Sequence, residues 1–317
     1  MADEHTKAEL QDIPVEQIEP NPENPRLLFR SGELEELVES IRRYGVQVPI
    51  TVYRSGNKYV LLDGERRWRC CLKLNRKTIP ALIQERPGVL DNLLLMFNIH
   101  ALREQWDLMT IALKLPRVID LLIERDGKKP NENQIAEYTG LKRGVVRRCK
   151  LLIDLPRFYQ DQILEELQKP KARQKLTEDF FIEMERALTT IERAMPKVIP
   201  DRNRARRVLI RKFKTGVIKN RTDFRMLSKI ASAERVHSDA QRAGSVLRSV
   251  FAHNRFSIDE AFQQSVSGAY SERDLLTRIR GLLERLRALR SKDLDAPLRS
   301  ALEELRRKLS RLLGSER

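Results

Sequence analysis

The spacing of apolar positions changes several times along this chain, and each change predicts an element. Leu34, Leu37 and Ile41 recur at helical spacing within Glu33 to Arg43, with Ser31 placed to cap the helix and Gly45 to end it. Two short apolar runs follow, Val48 to Tyr53 (VPITVY) and Lys58 to Leu62 (KYVLL). Between them lies Arg54-Ser55-Gly56-Asn57, whose Gly and Asn tolerate the positive φ of a tight turn, so the pair predicts a β-hairpin. Helical spacing returns from Arg67 to Leu74 with Trp68, Cys71 and Leu72, Thr78 to Ile83 (TIPALI) predicts a third strand, and Leu90 to Ile99 predicts an apolar helix. The first ten residues are polar and predict no element; structure begins near Ile13. The run from Pro20 to Pro25 cannot be helical, and Arg26 leads out of it into Leu27-Leu28-Phe29. This first region is therefore mixed α and β.

Everything beyond it reads as helix. Trp106 to Arg125 is apolar-rich, with Pro116 as a point of kinking and Trp106 as a core anchor. In Glu132 to Leu152, Ala136, Gly140 and Val146 stand at the offsets that let two helices meet closely, turn at glycine and bury the valine. That is helix-turn-helix spacing, with Asn131 or Asn133 as cap and Ile135, Leu141, Leu151 and Leu152 as core. The second helix, Lys142 to Leu152, would offer Lys142, Arg143, Arg147, Arg148 and Lys150 to a major groove. A plain helical hairpin with a solvated basic face is the alternative. Leu176 to Met195 predicts a further helix. Asp201 to Ile230 is basic, carrying Arg202, Arg204, Arg206, Arg207, Arg211, Lys212, Lys214, Lys219, Arg221, Arg225 and Lys229, and suggests phosphate contacts or a solvated face. Last, Leu275, Ile279, Leu282, Leu286 and Leu289, then Leu298, Leu302, Leu305, Leu309 and Leu312, form two seams of the coiled-coil type. They predict a helical hairpin that dimerises, or one that packs on its own chain.

Composition narrows the partners. The chain has 317 residues, with 61 Lys+Arg against 45 Asp+Glu, a net charge of +16 that suits nucleic acid better than an acidic small substrate. Its three cysteines, Cys70, Cys71 and Cys149, have neither metal nor disulfide spacing and imply a reducing cytoplasm; the four histidines are scattered. No stretch has the length of a membrane span, and Met1 to Leu10 is too polar for a signal peptide.

The densest chemistry is Asp63-Gly64-Glu65-Arg66-Arg67-Trp68-Arg69, where a strand pattern passes into a helix pattern at Gly64. A helix start carries unpaired N–H groups and partial positive charge, and three guanidiniums beside it call for an anion: a phosphate-bearing ligand, or Asp63, Glu65 and solvent.

GERRWR, followed by Cys70 and Cys71, resembles the GERRxRA motif of the ParB family, DNA-partition proteins whose N-terminal domain shares a fold with sulfiredoxin. Ile13-Pro14-Val15 through Pro20-Asn21-Pro22-Glu23-Asn24-Pro25-Arg26 is similar to that family's entry segment, Leu37 to Val52 to its first nucleotide-contact motif, and Asn98 to Glu104 to its third, ENxxR. The resemblance implies an α+β ParB/sulfiredoxin-like domain over 11–105 and a helix-turn-helix DNA-binding domain over 106–170; beyond it the residue pattern alone marks a basic helical region over 171–255 and a helical dimerisation region over 256–317. It implies CTP with Mg2+ at Gly45, Gly64, Glu65, Arg66, Arg67, Arg69, Asn98 and Arg103, the metal at Asn98. Double-stranded DNA and a second copy of the chain are the implied partners; a partition ATPase is one the resemblance admits. Two departures bear on turnover: Phe97 stands where the family has Glu, and Val48 precedes Pro49 where it has Gln, with Arg103 displaced as well. Neither Phe nor Val orients a water, so the expectation is nucleotide binding with at most weak CTPase activity.

The resulting expectation is a cytoplasmic, nucleoid- or plasmid-associated DNA-binding protein of plasmid or chromosome partition whose dimer closure responds to nucleotide. A transcription regulator with a vestigial pocket and a same-fold phosphotransferase or nuclease are the alternatives. A phosphotransferase would use Glu65 as base but has little use for the basic helical half. A sulfiredoxin-like reductase fits least, because its catalytic Cys falls where this chain has Arg66.

Overall fold

A computed structural model describes residues 9–24, 31–101, 107–287, 289–290 and 294–314, with the backbone alone for 31–33 and 99–101. Arg103, Trp106 and the run 25–30 lie outside the described residues, as does the side chain of Ser31. The chain forms two compact units, residues 1–185 and 186–317.

The first unit opens with β1 (Glu9–Pro14) and the two-residue β2 (Ile18–Glu19), then α1 (Ser31–Tyr44). The hairpin β3 (Ile50–Ser55) and β4 (Lys58–Asp63) turns at Gly56, whose φ is +61°, and passes through Gly64 into α2 (Glu65–Lys73). β5 (Thr78–Gln84) and α3 (Val89–Ala101) complete the domain. The five strands form one mixed sheet in the order β1-β5-β3-β4-β2, antiparallel at β1–β5 and β3–β4 and parallel at β3–β5 and β2–β4.

Both faces of this sheet are covered, which explains why KYVLL runs apolar without alternating. Ile50, Val52, Leu61, Ile79 and Ala81 share one core with Val38 and Ile41 of α1 and Trp68, Cys70 and Cys71 of α2. Tyr53, Val60 and Leu62 form a second, smaller cluster with Leu95 of α3. The Trp68 indole donates from Nε1 to the Val15 carbonyl at 3.1 Å, tying α2 to the segment after β1. Structure begins earlier than the sequence predicts. Glu9 and Leu10 are polar or exposed, yet they pair with Ile83 and Leu82 at the sheet edge, where a strand needs only a backbone partner.

Helices follow: α4 (Leu108–Asp126), with Pro116 inside it, α5 (Glu132–Thr139), α6 (Arg143–Ile153) and α7 (Arg157–Gln168). α8 (Glu178–Ala194) runs across the division between the units. α7 was not legible as an element, because its apolar positions Tyr159, Ile163 and Leu167 sit among polar residues and its start at Arg157 follows proline.

The second unit comprises α9 (Arg202–Lys214), α10 (Phe224–Ala231), α11 (Ala240–Ala252), α12 (Ile258–Ser265), α13 (Ser267–Arg287) and α14 (Ala296–Leu312). Leu209, Phe224, Leu227, Ile230, Leu247, Val250 and Ile258 are buried at its centre. Side chains of Asp201, Asp239, Ser257 and Asp295 cap α9, α11, α12 and α14. Neither α13 nor α14 contains a buried residue.

Candidate functional site

The strand-to-helix junction is built around Gly64. Its φ of +96° is a left-handed conformation, and a Cβ there would stand 2.6 Å from Cγ2 of Ile50 on the neighbouring strand. Glycine is required on both counts. Glycine has no side chain with which to cap α2, and the first intrahelical bond runs from Trp68 N–H to the Gly64 carbonyl. α2 therefore starts at a tight corner, and the first-turn N–H groups of a helix are the kind that accept an anion.

The guanidiniums of this turn find carboxylates nearby. Arg67 donates to Asp63 Oδ2 at 2.9 Å and to the carbonyls of Val48 and Pro49 at 2.5 and 2.6 Å, which fastens the segment after Gly45 to the start of α2. Arg69 donates from Nε and Nη2 to Glu65 Oε1 at 2.9 and 2.6 Å, and Asn24 Nδ2 donates to Glu65 Oε2 at 2.5 Å. Asp63 and Glu65 thus take up the charge of Arg67 and Arg69. Repulsion among three arginines ceases to be an argument for a ligand; the uncapped helix start remains one. Arg66 is half-buried on the same turn. Gly45 ends α1 with φ +72°, its N–H donating to the Ile41 carbonyl at 3.0 Å.

The proline-punctuated segment is held over this corner by polar bonds that sequence reading missed. Asn21 and Asn92 are buried and exchange side-chain amide bonds at 3.0 and 3.4 Å, joining the segment to α3, while Lys114 of α4 donates to the Pro22 carbonyl at 3.0 Å. Such amide pairs lie 71 positions apart in sequence and leave no local signal.

Asn98 is directed elsewhere. Its Nδ2 donates to the carbonyls of Leu94 at 2.9 Å and Tyr138 at 3.2 Å, the latter at the end of α5, and its Oδ1 lies against Gly140, where a Cβ would stand 2.4 Å away. Asn98 therefore latches α3 to the turn between α5 and α6. Phe97 is wholly buried, and Val48 is exposed with its carbonyl engaged by Arg67. Among the described residues, no three His, Cys, Asp or Glu side chains gather as a metal site.

The helix-turn-helix has the geometry its spacing predicts. Asn131 and Gln134 form a capping box on α5, Gly140 closes α5 at φ +68°, and Val146 is fully buried. Ile135, Leu141 and Leu152 are in the core as expected, but Leu151 is only half-buried, and Cys149 occupies the inward position instead. Positions 146, 149 and 152 share the buried face of α6, and Leu151 is turned away from it. Lys142 and Arg143 are exposed at the start of α6. Arg147 pairs with Glu132 at 2.7 Å, Arg143 and Lys150 reach the same carboxylate at 3.5 and 3.7 Å, and Arg148 pairs with Asp179 of α8 at 2.5 Å.

In the basic second unit, several cations serve the fold. Lys212 is buried and donates to the carbonyls of His253 and Phe256, and burial pulls its pKa down to about 8. Arg206 is buried beside Asn203, and Arg202 pairs with Glu192. Burial sets Lys212 and Arg206 apart from the expected phosphate contacts, and Arg202 is engaged by a carboxylate.

Against known proteins, residues 1–93 match the model of the ParB N-terminal domain. A probable chromosome-partitioning protein ParB of Pseudomonas putida is 35% identical over 150 residues, 47% of this chain and 49% of that one. A nucleoid occlusion protein of Shouchella clausii is 30% identical over 157 residues, 49% of this chain and 53% of that one. The chain spans about half the length of these curated relatives. A crystal structure of C-terminally truncated chromosome-partitioning protein ParB from Caulobacter crescentus, complexed with CTP-gamma-S, is similar at 28% identity and a TM-score of 0.29, covering 52% of this chain and 89% of that one. No helix among the described residues is long and apolar enough to cross a membrane. The mixed sheet, the glycine corner and the GERRWR turn at its centre, together with the match over residues 1–93, place the N-terminal domain of this chain in the ParB N-terminal domain family.

Proposed function

We propose that the chain is a ParB-like DNA-binding protein of bacterial partition, in which CTP at the Gly64 corner governs how a dimer engages double-stranded DNA. The observation that carries this reading is the left-handed, uncapped Gly64 at the head of α2, on the same unit as a helix-turn-helix with a basic second helix. When bound, the nucleotide's phosphates would supply the anion that the first-turn N–H groups lack, beside Arg66 and the Arg67 and Arg69 ion pairs. Gly45 would contribute the facing segment, which Arg67 holds in place through Val48 and Pro49. Magnesium keeps several waters and rides on substrate phosphates, so its main ligands would be those phosphates; Asn98 would offer its Oδ1, which lies against Gly140 while Nδ2 donates to Tyr138. Glu65, the base of a phosphotransferase reading, is occupied by Arg69 and Asn24. The four segments 11–105, 106–170, 171–255 and 256–317 are the corresponding functional division, with α13 and α14 joining two copies.

Calorimetric titration with CTP, ATP, GTP and UTP, with and without duplex DNA, tests the reading. CTP should bind most tightly, and Arg66→Ala should weaken it substantially. Equal affinity for all four nucleotides, or for none, rejects the assignment.

A further inference from the structure

One carboxylate reaches three of the cations of α6. Glu132, at the start of α5, accepts from Nε of Arg147 at 2.7 Å, and its two oxygens lie 3.5 Å from Nε of Arg143 and 3.7 Å from Nζ of Lys150. Positions 143, 147 and 150 fall on one stripe of α6, so the carboxylate addresses most of the basic face that the DNA-binding reading assigns to the groove. The hydrogen bond from Arg147 holds the Glu132 carboxyl below the usual carboxylate range, so it remains an anion.

We infer that Glu132 is a specificity-determining residue of the DNA interface, suppressing binding to the phosphate backbone and presetting Arg147 for a base edge. The inference rests on the helix-turn-helix reading. Non-specific affinity comes from neutralised phosphates, and a carboxylate among three cations repels a phosphate that would otherwise be drawn to them. Base edges are not charged in this way, so the same carboxylate opposes them far less. By taking Nε of Arg147, Glu132 also fixes the guanidinium plane and leaves the terminal Nη pair as its outer edge, the edge that engages guanine O6 and N7. Both effects widen the gap between specific and random DNA.

The test compares wild type, Glu132→Gln, Glu132→Ala and Arg147→Ala by fluorescence anisotropy. The probes are a random-sequence duplex and a duplex enriched from a random library by the wild-type chain, each at several salt concentrations. Glu132→Gln should bind the random duplex about threefold or more tightly, with a salt slope steeper by about one phosphate contact. Its preference for the enriched duplex should fall, and fall further in Glu132→Ala, which also loses the bond to Arg147. Random-duplex binding that is unchanged or weaker in both Glu132 variants, while Arg147→Ala binds DNA less well, overturns the inference and spares the helix-turn-helix. If Arg147→Ala also leaves DNA binding unchanged, the helix-turn-helix reading falls with it.

Discussion

Glu178 joins the start of α8 to α4 and should make the stability of the first unit fall as pH rises from about 4.5 to about 7. The side chain stands at the start of α8, where Oε1 accepts from Met109 N–H in the first turn of α4 at 2.5 Å. Burial is the largest influence and pushes its pKa up to about 7 from an ordinary 4.5; Asp107 and Asp179 push the same way, while the Met109 N–H and Arg148 oppose them. The nearby Cys149 thiol is itself pushed up to about 12 by burial and stays neutral. Between pH 4.5 and 7 the folded chain keeps a proton that the unfolded chain has released, so the favourable contribution is complete below 4.5 and gone above 7. A displacement of that size corresponds to about 3 kcal/mol, a large part of the 5–15 kcal/mol that holds a typical domain. Glu178→Gln keeps an acceptor for Met109 and removes the charge. At pH 8 it should stabilise the unit by as much as about 3 kcal/mol, with the gain vanishing near pH 4.5. Urea unfolding followed by tryptophan fluorescence measures this selectively, since both tryptophans of the sequence, at positions 68 and 106, fall within the range 1–185. Equal stability of the two proteins at pH 8, or a difference that does not change with pH, would refute the reasoning.

The same assay should separate two glycines. Gly64→Ala combines left-handed strain of about 1–2 kcal/mol with overpacking of about 1–3 kcal/mol against Ile50, whereas Gly45→Ala, with open space around the added Cβ, should show the strain alone. Equal losses at the two positions would mean that the Ile50 contact does not confine the corner. In the second unit, Lys212→Met strands the carbonyls of His253 and Phe256 and should cost roughly 2–4 kcal/mol, read as faster hydrogen exchange across α9 and α11. Unchanged exchange would mean that the two carbonyls find other donors. Removing residues 275–317 takes away both leucine seams while keeping Tyr270 against Lys229 and leaving α12 in its core. Sedimentation should then show a monomer, and a truncated chain that remains a dimer places the interface elsewhere. Phosphate release with saturating CTP, magnesium and DNA should be slow or absent, because Phe97 is sealed in the core and Val48 offers no polar side chain; brisk turnover abolished by Arg66→Ala would show that another group orients the water.

What the sequence determined by itself is everything set by local period and backbone chemistry. The β3–β4 hairpin turns at Gly56, α2 starts after Gly64, and α5 and α6 meet at Gly140, because glycine marks positive φ and apolar spacing marks the buried face whatever the rest of the chain does. Edge strand β1 escaped notice for the opposite reason: its residues are largely exposed, and only the distant backbone of β5 makes them a strand. The partners of the charged and amide groups were likewise decided by tertiary structure. The repeated arginines of GERRWR and of α6 are visible in the sequence, but that Asp63 and Glu65 answer Arg67 and Arg69, or that Glu132 collects Arg143, Arg147 and Lys150, depends on which helix ends come together. Lys212 reads as one more surface cation until the fold closes around it, and the bond from Asn98 to the Tyr138 carbonyl exists only because α3 meets the end of α5. A hydrogen bond across 40 residues has no period, so only the packed chain reveals it.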